Sequence, residues 1–247
     1  MNDPAFLIAA VIAASCVGLG KGGLPVVAML SVPILALFIS PIAAAGLLLP
    51  VYIISDVFGL WAYRREFDRK VLIIMIVAMT LGVGLGWATA RVVDEAVVTL
   101  VVGLIGASFA LNLLLRRGAT GPKKEPHWPG GLFWGTIAGF TSFVSHAGGP
   151  PYQVWTLPLR LTKAVFVGTQ VIAFAYVNAL KLIPYAALGQ LSFDNLKFAA
   201  LLSVPASASV FLGVYLVRIV PEALFFKVVT WALLGVSLKL IYDGAFG

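Results

Sequence analysis

Two short glycine-rich stretches interrupt apolar runs at matching places in the two halves of this 247-residue chain. The first is Gly20-Lys21-Gly22-Gly23-Leu24-Pro25, the second His146-Ala147-Gly148-Gly149-Pro150-Pro151. Glycine lets backbone N–H groups approach a ligand closely, and proline suits the first turn of a helix. Each stretch therefore reads as a break followed by a new helix start, with unpaired N–H groups and a partial positive charge. Two such termini meeting at mid-depth make an anion site with few charged side chains. Lys21 adds a cation to the first. Gly20, Lys21, Gly22, Gly23, His146, Gly148 and Gly149 thus form a candidate substrate-binding set. The competing reading is close helix packing through small residues. Proline, together with Lys21 or His146 at matched positions, favours a site.

Other polar groups within apolar runs extend the set. His146 can donate to an anion or titrate, with an unperturbed pKa of about 6.5; a hydrogen-bonded structural role fits it equally. Gln153 and Gln170 add uncharged polarity that either lines a path or links helices. Asp56 lies inside an apolar run, where a carboxylate is costly unless protonated or paired. It is a candidate for carrying a coupling proton. Its counterpart in the second half is Asn178, which joins the binding set, and both positions also read as structural hydrogen-bonders. Lys181 lies one turn from Asn178, and its stem can snorkel to the outer surface. The segment Gly18–Gly23 satisfies G-x-G-x-x-G, yet the nearest downstream acid is Asp56 and no strand precedes it, so the dinucleotide reading fails. Nothing in the sequence forms a metal-ligand cluster, a nucleophile elbow or a paired-carboxylate site. The chain is therefore not expected to be an enzyme, nor to need a cofactor or a metal.

The elements that must position these residues are apolar. The composition is 61% hydrophobic and 11% charged, with mean hydropathy +1.02. A soluble domain cannot hide that much apolar surface, and several charge-free runs are long enough to cross a bilayer. Inside a bilayer, broken backbone survives only where protein buries it or a cavity adjoins it. The expected elements are 6–17, 24–39, 41–63, 71–89 and 96–115, then a polar linker at 116–128, then 129–144, 151–159, 164–185, 196–217 and 223–242. Segments 24–39 and 151–159 are short for a full span and read as half-helices. The start, Met1-Asn2-Asp3-Pro4, lacks a signal peptide's basic region. A single cysteine, Cys16, excludes an intrachain disulfide. The net charge of +7 sits mostly in short loops, which suits membrane orientation and not nucleic-acid binding.

The halves 1–115 and 129–247 repeat one plan. Gly46 matches Gly168, Asp56 matches Asn178, Tyr63 matches Tyr185, and Phe67-Asp68 matches Phe193-Asp194. Leu85-Gly86, Arg91 and Glu95 match Leu212-Gly213, Arg218 and Glu222. The common order argues for duplication. Basic residues crowd loop 64–70 and segment 116–124, which the positive-inside rule places in the cytoplasm. The equivalent of the first loop, 186–197, is nearly neutral, so the halves are expected to have inverted topology. The expected fold is an all-α polytopic membrane protein of two inverted repeats, each of about five helical elements, with re-entrant breaks at the midplane. Its partners are the lipid bilayer and a small anionic substrate. A channel or an accessory membrane protein remains the alternative.

The chain resembles the sulfite exporter TauE/SafE permease family over about residues 6–242. The carriers are the break Gly18–Pro25 followed by Pro33, the 43–56 stretch after Pro41, and the return of this pattern in His146–Pro151 with 164–178. The closing Leu85-Gly86 and Leu212-Gly213 patterns also fit. The resemblance implies an inner-membrane permease for small sulfur-containing or organic anions, such as sulfite and sulfonates, with export the usual direction.

Overall fold

Asp3 starts the first helix, its carboxylate accepting the Ala5 N–H at 3.1 Å, a standard N-cap. Ser40 and Asp68 cap two later helices by accepting from Ala43 and Val71. The computed structural model describes residues 3–90, 92–115, 123–189 and 193–246. Arg91 and segments 116–122 and 190–192 lie outside the described residues, and with them the Arg91–Arg218 match and most of the basic linker. The described chain is helical and contains no strand. In the first half, α1 spans Pro4–Lys21, α2 Pro25–Ala28, α3 Ser31–Ala36, α4 Pro41–Tyr63, α5 Arg69–Thr89 and α6 Glu95–Leu115. In the second, α7 spans Trp128–Ser145, α8 Gly149–Thr156, α9 Lys163–Ala187, α10 Phe193–Ile219 and α11 Glu222–Phe246. A 3₁₀ turn, Leu157–Leu159, extends α8. Among the described residues, seven helices are long and apolar enough to cross a membrane: α1, α4, α5, α6, α9, α10 and α11.

The expected half-helix 24–39 is two shorter pieces. The helix breaks at Met29–Leu30, and Pro33, lacking an N–H, leaves the Met29 carbonyl without its helical donor. The Ala28 carbonyl at the end of α2 accepts from Ser31 Oγ at 2.6 Å and Tyr52 OH at 3.1 Å. A four-residue α2 carries little helix dipole. The expected pair of half-helix N-termini is thus reduced to one, that of α8.

Helices approach closely where glycine removes the side chain. A Cβ on Gly18 or Gly22 of α1 would collide with α10 backbone at Ala206 and Val210. Gly82 of α5 lies against Thr136 and Phe140 of α7, and Gly103 of α6 against Ser237 and Ile241 of α11. Along α5, Gly82 and Gly86 make contacts while Gly84 faces open space. Helix α1 thus packs on α10, α7 on α5, α6 on α11 and α4 on α9. The outer surface is apolar, with Val101, Leu104, Leu201 and Val204 exposed, whereas lysines and an aspartate lie within. That inversion of the soluble pattern is what lipid requires.

Candidate functional site

The two breaks end their helices differently. In the first, Gly23 stands at φ +114°, its N–H donating to Gly20 O and that of Leu24 to Leu19 O. This pair of bonds is a Schellman cap, which needs a positive-φ residue and favours glycine. In the second, the left-handed position after α7 is filled by His146, at φ 53°. For a residue with a Cβ that conformation costs about 1–2 kcal/mol. Such an outlier points towards a functional demand on the side chain.

The His146 ring is held on three sides. Its Nδ1 lies 3.4 Å from Lys181 Nζ and its Nε2 3.0 Å from Tyr185 OH, while Tyr52 stacks on its face at 5.8 Å. Lys181 is wholly buried and donates also to Ser142 O at 2.9 Å and Ser142 Oγ at 3.2 Å. The snorkelling expected of Lys181 is therefore wrong: its stem turns inward, where Ser142 and the end of α7 supply acceptors.

On the other side, Lys21 Nζ lies 2.6 Å from Asp56 Oδ1. The second carboxylate oxygen accepts the Asn178 amide at 2.8 Å. Both ions are nearly inaccessible, Lys21 at 6% and Asp56 at 4% exposed. The Lys21 ammonium also lies over the Tyr52 ring, 5.1 Å from its centroid, a favourable cation–π position. Tyr63 OH donates to Gly22 O at 2.7 Å, and Tyr185 OH to Phe143 O at 3.2 Å. The matched tyrosines thus each tie down the end of their own half's first helix.

These groups surround a cavity of about 70 Å³. A water needs roughly 10–15 Å³ of such space, so the cavity takes a few waters or one small ion. It brings together seven residues expected from sequence: Gly20, Lys21, Gly23, His146, Gly149, Gln170 and Asn178. Asp56 sits behind Lys21 and Asn178. Gly22 faces α10 and Gly148 faces Ala138 and Ser142 of α7, so both serve packing. Gln153 is buried in α8 and does not reach the cavity. Sequence reasoning missed Tyr52, Ser142 and Lys181, and the apolar wall of Met29, Val167, Val171 and Phe174. Among the described residues, the Gln170 Oε1 finds no hydrogen-bond partner although it is buried. Among the described residues, no His, Cys, Asp and Glu group could hold a metal ion.

Ala28, Met29, Tyr52 and His146 also line a second, larger cavity of about 470 Å³, which reaches Glu95, Lys239 and Asp243. These four residues therefore stand between the two spaces. Towards loop 64–68 the closure is more substantial. Gly168 lies against Glu66 backbone, and the Asp68 N–H donates to Thr169 Oγ1 at 2.9 Å.

Seven apolar helices enclosing a polar, twice-broken centre define a multi-pass membrane protein of transporter type. The family model described as sulfite exporter TauE/SafE matches residues 5–240. The chain belongs to that family, whose members are membrane permeases. No curated protein and no solved structure matches the chain.

Proposed function

We propose that this protein is a carrier for small sulfur-containing or organic anions, of the sulfite and sulfonate kind, working as an exporter in the inner membrane by alternating access around the central cavity. The observation that carries this reading is the charge count at the breaks: two buried lysines and one buried aspartate, around a space the size of a small ion. Such intramembrane charges mark substrate paths. Family membership supplies sulfite; the cavity supplies room and positive charge.

Inverted repetition of 1–115 and 129–247 is part of the proposal. Two features support it. Asp56 and Asn178, matched in the repeat, hydrogen-bond to each other, as equivalent residues do only near the axis that relates them. The pairing of α1 with α10 and of α7 with α5 is likewise an exchange of equivalent partners. In this reading Met29, Tyr52 and His146 form the thin gate, and the α9 contacts with loop 64–68 the thick one.

Proteoliposomes test the function. A carrier shows saturable counterflow of sulfite or a sulfonate. Ohmic conductance makes it a channel instead, and no flux at all leaves an accessory role. Orientation has its own test. In a Cys16→Ser background, a cysteine at Arg65 is expected to resist an impermeant thiol reagent applied outside, and one at Leu188 to react. Both residues are exposed, so the reverse labelling overturns the inverted, loop-64–70-inside arrangement.

A further inference from the structure

The charges around the central cavity do not cancel. Lys21 and Asp56 close on each other at 2.6 Å, and Asn178 occupies the remaining carboxylate oxygen. That group is neutral and self-satisfied. Lys181 stands in the same cavity with only neutral acceptors, Ser142 and His146. No salt bridge to it occurs among the described residues. A buried ammonium without a counter-ion is costly, and one negative charge placed in the cavity would complete it. The rest of the wall includes the apolar Met29, Val167, Val171 and Phe174, and the other lining cation, Lys21, is already paired with Asp56.

Taking the cavity as the substrate site, as proposed above, we infer that it selects small monoanions over dianions of the same shape, with Lys181 as the counter-charge. One negative charge leaves the buried cluster neutral. A second is uncompensated where screening is weak. His146 offers no relief, because its Nδ1 already faces the Lys181 ammonium. Its ring faces Lys181 and Tyr185 on α9 and Tyr52 on α4. Lys21 of α1 lies beyond Tyr52. Across the larger cavity stand Glu95 of α6 and Lys239 and Asp243 of α11. The apolar wall suits a monoanion carrying a short alkyl group.

Methanesulfonate and sulfate separate the two cases, because both are tetrahedral sulfur oxyanions and differ by one charge. The probe is radiolabelled methanesulfonate bound to the purified full chain in detergent and displaced by unlabelled methanesulfonate or sulfate. Near pH 6, where both probes keep their full charges, sulfate is expected to compete at least about tenfold more weakly. Lys181→Met is expected to lower methanesulfonate affinity more than about tenfold, with Lys181→Arg recovering part of it. Sulfate that competes as well as methanesulfonate near pH 6 overturns the inference, as does unchanged affinity in Lys181→Met. If Lys181→Met fails to fold, the wild-type ratio alone decides. If neither anion binds, the small-oxyanion reading itself falls and takes this inference with it, an outcome distinct from binding without charge preference.

Discussion

Asp56→Leu is expected to destabilise the folded protein by about 3–5 kcal/mol, the usual cost of removing one partner from a buried ion pair. The cause is Lys21. Its ammonium lies 2.6 Å from Asp56 and Lys21 is 6% exposed, so without the carboxylate it is left an unpaired charge in a nearly closed site. Asn178 simultaneously loses its acceptor. The double variant Lys21→Met, Asp56→Leu removes both charges and is expected to recover most of the loss, because an apolar pair of similar volume often matches a buried ion pair. Thermal unfolding in detergent, followed by size-exclusion chromatography, reads both. Asp56→Asn separates structure from coupling. It keeps an acceptor for Lys21 and copies the partner position, so it is expected to fold and to retain counterflow. If Asp56 carries the coupling proton, this variant loses proton-driven accumulation. Wild-type accumulation in Asp56→Asn assigns Asp56 to the structural pair alone, and a double variant no more stable than Asp56→Leu removes the ion-pair explanation.

The membrane class and the helices were legible because both follow from composition and run length. Helix ends at Ser40, Asp68 and the prolines were readable for the same local reasons. Depth was not legible. Lys181 sits close enough to its helix end to snorkel, and its matched position in the first half is Gly59, so the repeat carried no second lysine. A signal was nevertheless present. Tyr52, Asp56, Gly59 and Tyr63 recur on one face of α4 at helical spacing, and Phe174, Asn178, Lys181 and Tyr185 repeat that spacing on α9. All but Gly59 and Tyr63 either line the cavity or bond to a residue that does. Reading that stripe as a unit brings Tyr52 and Lys181 inward with Asp56. The glycines were legible as breaks but not as neighbours. Which glycine meets a cavity and which meets a helix depends on tertiary approach, and Gly22 and Gly23 differ in this although they are adjacent.

That difference sets the second large effect. Gly22→Val is expected to lose the folded protein, at a cost of about 3 kcal/mol or more, the upper end of ordinary overpacking. A Cβ there collides with the Val210 carbonyl oxygen and comes within 2.7 Å of Gly213 Cα and 2.9 Å of Val214 N. These are backbone atoms of α10, and they move only if the α1–α10 pair separates. Gly149→Ala is a different case. Its added Cβ meets only the Met29 thioether, at 3.1 Å for Sδ, and a flexible methionine can shift. Gly149→Ala is therefore expected to fold like the wild type and to alter anion affinity, since Gly149 and Met29 both line the cavity. Gly84→Ala completes the series: nothing lies within 4 Å of its Cβ, and alanine in mid-helix gains roughly 0.5–1 kcal/mol over glycine. Yield of monodisperse protein and its unfolding temperature are the measurements. A stable Gly22→Val protein that has merely lost anion binding would place Gly22 at the cavity and overturn its assignment to helix packing.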